Sequence, residues 1–227
     1  MIKVTENFRK IRDLLAKAAA DAGRSAGQIR LLAVSKTKPA AAVLEAYAAG
    51  QRDFGENFVH EGLEKIAAVD RADAIWHFIG RLQANKTRSV AQHFLWVHTV
   101  DRLKIARRLS VQRPCHAGAL NVCIEVNIDA EDNKSGVAAA EVADLAAAVA
   151  ELPRLRLRGL MCLPAIRDDF EEQRRPFARL RALMESLNRS GMQMDTLSMG
   201  MTADYAAAIM EGATIVRVGT AIFGARE

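Results

Sequence analysis

The chain has 227 residues, half of them hydrophobic and 26% charged, with a formal charge of +5. That length buries a full core without disulfides or a structural metal, and the composition excludes a disordered or fibrous chain. The arginines are scattered over helical stretches, as at Arg107, Arg108, Arg174, Arg175, Arg179 and Arg181, with no basic stripe interleaved with aromatics, so no nucleic-acid partner is expected.

The N-terminus, Met1 to Asn7, carries charges where a signal peptide needs an apolar core. Phe8, Ile11 and Leu15 repeat at helical spacing and predict a helix ending near Gly23. The apolar run Ile29–Val34 then reads as a buried strand, and Pro39 opens a helical stretch over Ala40–Ala49. Further strand-like runs follow at Asp53–Gly55, Ile75–Gly80, Phe94–Thr99, Asn121–Asn127, Leu157–Leu163, Thr196–Gly200 and Thr214–Gly219. The alanine-rich stretch from Val137 to Leu152 carries Glu141, Asp144 and Glu151, which excludes a membrane span there. Phe177, Leu180, Met184 and Leu187 form one apolar helix face that stops at Gly191, and Thr202 is placed to cap a helix over Ala203–Glu211. Cys115, Cys123 and Cys162 are too irregularly spaced for a metal cluster or disulfide framework; no metal is expected, and free buried thiols point to a cytoplasmic location.

Most of these runs are apolar on both faces, the pattern of parallel strands covered by helices. Eight strand-and-helix alternations predict an α/β fold, a single (β/α)8 TIM barrel preceded by an extra N-terminal helix, with residues 1–227 forming one domain. An open doubly wound sheet is the alternative, but no G-x-G-x-x-G follows any strand.

In a barrel the strand C-termini share one mouth, where binding sites gather. Lys36 stands just past the first strand, before the helix begins. A lysine there is either a solvated loop residue or, when shielded from water, an amine set to form an imine with an aldehyde. Asn57 follows the second strand. Ser198-Met199-Gly200-Met201-Thr202 and Gly219-Thr220-Ala221-Ile222-Phe223-Gly224 follow the seventh and eighth. Loops in those two positions are a common phosphate site, where glycines admit backbone N–H groups and Ser198, Thr202 and Thr220 offer hydroxyls; ordinary turn chemistry would explain the same residues. Arg217 interrupts a strand buried on both sides. It either pairs with an inward carboxylate such as Glu56 or Glu125, or donates to the pyridine nitrogen of a cofactor. His77 and His98 read as satisfied core groups, and Lys38 and Lys134 as solvated mouth-side lysines within reach of an anionic ligand.

Together these residues resemble the pyridoxal 5′-phosphate (PLP) homeostasis protein family, which is similar to the barrel domain of alanine racemase. The resemblance runs through Leu32-Ala33-Val34-Ser35-Lys36-Thr37-Lys38-Pro39, Phe54-Gly55-Glu56-Asn57 and Trp76-His77-Phe78-Ile79-Gly80-Arg81-Leu82-Gln83-Ala84-Asn85-Lys86. It continues in Asn133-Lys134-Ser135-Gly136, Arg158-Gly159-Leu160-Met161, Leu197-Ser198-Met199-Gly200-Met201 and Val216-Arg217-Val218-Gly219-Thr220-Ala221-Ile222-Phe223-Gly224. It implies that PLP is held as an imine of Lys36, with Arg217 at the pyridine nitrogen, Ser198, Gly219 and Thr220 at the phosphate and Asn57 lining the pocket. It also implies a monomer that buffers PLP and supplies it to PLP-dependent apoenzymes, with no established reaction of its own.

The alternative is a PLP-dependent amino-acid racemase, which needs an acid or base on each face of the substrate's α-carbon. Alanine racemases draw the second group, a tyrosine, from another domain. The sequence ends at Glu227 soon after the last strand, so that domain is expected to be absent. The two tyrosines, Tyr47 and Tyr205, fall on predicted helices. The residues therefore favour a binder over an enzyme.

Overall fold

The computed structural model describes residues 4–131 and 133–225. The strands are β1 (Arg30–Val34), β2 (Asp53–Glu56), β3 (Ile75–Phe78), β4 (Trp96–Val100), β5 (Leu120–Asn127), β6 (Val137–Ala138), β7 (Leu155–Cys162), β8 (Thr196–Ser198) and β9 (Ile215–Val218). They lie side by side in the order β4-β3-β2-β1-β9-β8-β7-β5-β6, every pair parallel, and β4 also pairs with β5. That last pairing closes eight strands into a barrel; β6 is a two-residue addition beside the end of β5. The expected (β/α)8 architecture is therefore present.

The helices are α1 (Val4–Asp21), α2 (Ala40–Ala48), α3 (Val59–Val69), α4 (Thr87–His93), α5 (Leu103–Gln112), α6 (Val142–Ala150), α7 (Phe170–Arg189), α8 (Tyr205–Met210) and α9 (Thr220–Phe223). The N-terminal helix α1 buries Val4, Phe8, Ile11, Leu15 and Ala19, spaced by three or four residues on one face. That face packs on α2, α8 and α9 and so bridges the two ends of the helical ring. No helix among the described residues is long and apolar enough to cross a membrane.

Alternation along each strand sorts side chains into two cores. On β1, Leu32 points into the barrel and Ala33 toward the helices; on β9, Ile215 points in and Val216 and Val218 point out. The interior cluster comprises Leu32, Trp96, Cys123, Met161 and Ile215, with Ile75 and Ile79 packed on it. Above and among these apolar groups the barrel interior is polar, and that polarity defines the site.

Several boundaries differ from the sequence reading. Strand three stops at Phe78 and strand seven at Ser198, because Gly80 and Gly200 belong to the turns that follow. Thr202 does not cap a helix. Residues 202–204 form a turn, α8 begins at Tyr205, and the Asp204 carboxylate accepts the Met201 N–H at 2.6 Å. The acidic side chain ties down the loop rather than lying in a first helical turn.

One glycine is forced by close approach. On β7 the register slips by one residue, Val122 facing Leu157 and Cys123 facing Gly159, so that Arg158 bulges out. A Cβ on Gly159 would lie 1.7 Å from the Thr196 carbonyl oxygen. Gly159→Ala is expected to destabilise the protein by about 3 kcal/mol, a fall in Tm of roughly 6–12 °C. Thermal unfolding followed by circular dichroism measures it, and an unchanged Tm would contradict the packing of β7 on β8.

Candidate functional site

Lys36 lies two residues beyond the end of β1, half-buried, in the turn that leads to Pro39 and α2. The turn is held from beneath by a charged cluster. Lys65, on α3 and 4% exposed, donates from Nζ to the Ser35 carbonyl at 2.5 Å, to Glu56 Oε1 at 2.8 Å and to Glu61 Oε1 at 2.6 Å. Ser35 Oγ donates to Glu56 Oε1 at 2.6 Å, and the Thr37 N–H donates to Glu61. Both neighbours of Lys36 are thus fixed. Thr37 is held at φ 63°, left-handed backbone that a branched residue adopts only when its surroundings impose it. Burial raises the Glu56 carboxyl above its ordinary range, opposed by the bonds from Lys65 and Ser35.

Lys36 opens onto a cavity of about 210 Å³. Val34, Ile79, Met161 and Leu163 give it apolar walls; Asn57, Thr202, Arg217 and Thr220 give it polar ones, and Gly219 also lines it. A hollow of about 420 Å³ lies beside Asn57 and Gly80 without reaching Lys36 or Arg217, and two others, of about 570 and 390 Å³, open at the opposite end of the barrel. Arginines line them, but Arg30 is committed to Asp53 and Arg158 to Asp195. Barrel sites form at the C-terminal ends of the strands, so the smaller cavity is the candidate site.

Asn57 is positioned by Gly80, at which a Cβ would fall 2.0 Å from the Asn57 carbonyl oxygen, and Thr99 Oγ1 donates to the Gly80 carbonyl at 2.6 Å. The amide oxygen Oδ1 of Asn57 is buried without a hydrogen-bond partner. An orphaned acceptor on the wall of a cavity is what a ligand hydroxyl or amine would satisfy. Gly219 lies against β1, where an added Cβ would sit 3.1 Å from the Val34 carbonyl oxygen, and it leads directly into Thr220 and α9.

Arg217 is 5% exposed and lines the cavity from β9. Its guanidinium donates to the Ser198 carbonyl at 2.6 Å, to Ser198 Oγ at 2.8 Å and to the Cys162 carbonyl at 2.9 Å. These acceptors are neutral. Of the carboxylates the sequence offered as partners, Glu56 pairs with Lys65, and Glu125, on β5, bears on Arg217 only through the field. Burial pushes the Glu125 carboxyl up to about 7, with Asp101 adding to the rise and Arg217 and Arg81 opposing it.

Ser198 is fully buried and stands behind the cavity rather than on its lining. Its hydroxyl meets Arg217 on one side and His98 Nδ1, at 2.8 Å, on the other. His98 Nε2 lies 2.9 Å from His77 Nδ1, and His77 Nε2 lies 2.9 Å from Asp53 Oδ1. Both rings have 0% exposure, and burial lowers both pKa values. The histidines are therefore satisfied interior groups. Lys38 donates to the Ala225 carbonyl at 2.5 Å, and Lys134 pairs with Glu131 and donates to Leu163; neither lines the cavity. Cys123 and Cys162 are buried thiols whose pKa values are pushed up to about 12 by burial.

Of the residues expected from sequence, Lys36, Asn57, Arg217, Gly219 and Thr220 meet at one cavity. The residue that sequence reasoning missed is Lys65. Its signal was present in Glu61 and Lys65, an i, i+4 pair on α3, with the lysine on the helix's buried face.

An unfolded glutamate releases its proton near pH ~4.3, whereas folded Glu125 holds it to about 7. Across that window the native chain binds a proton that the unfolded chain lacks, so Glu125 makes stability fall as pH rises, levelling off above the folded value. Glu125→Gln removes this term. In urea titrations the variant's advantage over wild type is expected to grow from about pH 5 to about pH 8, reaching about 3 kcal/mol. A pH-independent difference would contradict the raised pKa.

The model of the alanine racemase N-terminal domain matches residues 4–227 of the chain. The pyridoxal phosphate homeostasis protein of Pseudomonas aeruginosa is 55% identical over 227 residues, covering 100% of this chain and 97% of that protein. Its Escherichia coli counterpart is 51% identical over 230 residues, covering 100% and 98%. Among solved structures, PipY of Synechococcus elongatus with PLP bound superposes with a TM-score of 0.84 at 35% identity, covering 97% of this chain and 100% of that one.

Proposed function

The chain belongs to the pyridoxal phosphate homeostasis protein family, and from that premise we propose that it binds PLP at the barrel mouth as an imine of Lys36 and holds or delivers the cofactor. The observation that carries this reading is the meeting of Lys36, Asn57, Arg217, Gly219 and Thr220 from three strand ends on one cavity. PLP supplies an aldehyde that condenses with an amine, with loss of water, and a pyridine ring that withdraws electrons.

The protein's own groups match those two features. Lys36 presents an amine on a turn whose backbone is fixed before any ligand arrives. Arg217 offers a donor to the pyridine nitrogen and, being permanently protonated, holds its own proton and leaves that nitrogen unprotonated. A ring so held is a weak electron sink, which suits holding better than turnover. Gly219 and Thr220 offer backbone and hydroxyl to the phosphate, and the orphaned Asn57 oxygen accepts from the ring's substituents. Ser198 stands behind the cavity with its hydroxyl shared between Arg217 and His98 and its carbonyl accepting from Arg217, so it bears on the ligand through Arg217 rather than at the phosphate.

The racemase alternative needs a second proton donor facing the cavity. Tyr47 Oη donates to Asp73 at 2.5 Å, and neither Tyr47 nor Tyr205 lines the cavity. On the family's pattern, the protein acts as one cytoplasmic domain, a monomer with PLP-dependent apoenzymes as recipients.

Incubation with PLP is expected to turn the protein yellow. Borohydride reduction should then leave a single pyridoxyl adduct, which peptide mass spectrometry assigns to Lys36 and which Lys36→Ala lacks. A colourless protein, or an adduct on another lysine, would sink the reading. Turnover of D- or L-alanine at ordinary enzyme rates, lost in Lys36→Ala, would replace it with the racemase.

A further inference from the structure

A file of polar groups crosses the barrel interior beneath the cavity, and the function proposed above leaves its histidines without a role. It begins at Asp53, whose carboxylate also receives Arg30 Nη1 at 3.1 Å near the lower rim. It passes through His77 and His98 to Ser198 and ends at Arg217. The members come from β2, β3, β4, β8 and β9, so the file spans the lumen from one end to the other.

The Asp53 end, with both rings neutral, dictates the protons above it. The Asp53 carboxylate can only accept, so His77 Nε2 carries a hydrogen. A neutral His77 then accepts at Nδ1, which requires His98 Nε2 to donate. A neutral His98 in turn accepts at Nδ1, and the Ser198 hydroxyl supplies that hydrogen. The other end is compatible with this, because Arg217 only donates and Ser198 Oγ accepts from it while its own hydrogen goes to His98. The single condition is that both rings be neutral, which complete burial favours in each; Arg30 and Arg217 reinforce it at His98 and Arg30 at His77, where the Asp53 carboxylate opposes it. All four bonds then point one way, from Arg217 down to Asp53.

Such a chain is a poor proton wire, because its upper terminus is a guanidinium that does not give up its proton. What it delivers is orientation. The bonds to Ser198 O, Ser198 Oγ and Cys162 O use three of the five N–H donors of Arg217 and leave two on a residue that lines the cavity. The two carbonyls set their direction in part, and the third bond completes it while His98 takes the hydroxyl hydrogen and leaves Ser198 Oγ an acceptor toward Arg217.

We propose that Asp53, His77, His98 and Ser198 are positioning residues for Arg217, a one-way hydrogen-bonded chain by which the lower barrel fixes the guanidinium that meets the PLP ring. The cofactor half of this statement rests on the function proposed above; the proton arrangement does not.

The test has two arms. In the cofactor-free protein labelled with 15N-histidine, long-range proton–nitrogen correlation reads the tautomers. His77 and His98 are expected to be neutral with the proton on Nε2 throughout about pH 5.5 to about pH 8.5, the range in which an ordinary histidine titrates. A cationic ring near neutral pH, or an Nδ1–H tautomer in either, overturns the chain. The second arm compares PLP affinity in His98→Asn and His98→Gln, with folding checked by circular dichroism. Counted in bonds from Cβ, the Asn Oδ1 takes the place of Nδ1 and still accepts from Ser198, whereas the Gln amide nitrogen takes the place of Nε2 and leaves Ser198 without its acceptor. His98→Gln is expected to bind PLP about tenfold more weakly and His98→Asn to remain closer to wild type. Packing alone gives the opposite order, since Gln is nearer to His in volume, so His98→Gln binding as tightly as His98→Asn also overturns the proposal. Failure of the wild-type protein to bind PLP would remove the cofactor reading and leave the tautomer arm to decide the chain.

Discussion

A guanidinium buried inside a parallel barrel is the constraint to which the upper half of this molecule answers. Taking that charge out of water is unfavourable unless its hydrogen bonds are replaced, and here neutral oxygens replace them, from Ser198 and from the Cys162 main chain. A carboxylate in contact would have neutralised Arg217 and blunted its field. The carboxylates that bear on it, Asp204 and Glu125, act only through the field, and Asp53 stands at the far end of Ser198, His98 and His77. Arg217 therefore presents its positive charge to the cavity with neutral oxygens rather than a carboxylate in contact, the character suited to an electron-rich ring nitrogen and a phosphorylated ligand.

The other half of the site is built independently. Lys65, Glu56 and Glu61 form a buried ionic knot under the turn 35–38, and none of its bonds involves Arg217 or its partners. Ion pairs of this kind contribute little net stability, but they fix a geometry because any one partner left alone is strongly disfavoured. The Lys36 turn is accordingly organised by the protein itself. A turn that keeps its shape without a ligand spares binding the entropy of reordering backbone.

The fold was legible because both faces of the strands are covered, which wrote them as unbroken apolar runs such as Ile29–Val34 and Thr214–Gly219. Lys36 and Arg217 were legible for the opposite reason: each breaks the local pattern, one at a strand's end and one within it. The start of α8 was misplaced because Asp204 caps a loop amide that sequence does not reveal. The histidine chain was hidden by distance along the chain. His98 and Ser198 are 100 residues apart, and only barrel closure through β4 and β5 brings their strands around a common lumen. Lys65 was hidden by its type, since lysines are so commonly exposed that a buried one is not suspected from helical spacing alone.

The two interior cysteines bear on chemoselectivity. An aldehyde in a protein meets two kinds of strong nucleophile, amines and thiolates, and thiols capture aldehydes readily when ionised. Cys162 adjoins Met161 and Leu163 on the cavity wall, yet with their pKa values pushed up to about 12 both it and Cys123 remain protonated and walled off by packing. Sulfur is thereby kept silent beside a site made for an electrophile. The carbonyl of that same Cys162 is one of the three oxygens that hold Arg217. One residue thus lends its main chain to the site and withholds its side chain, so the imine proposed at Lys36 meets no competition from it.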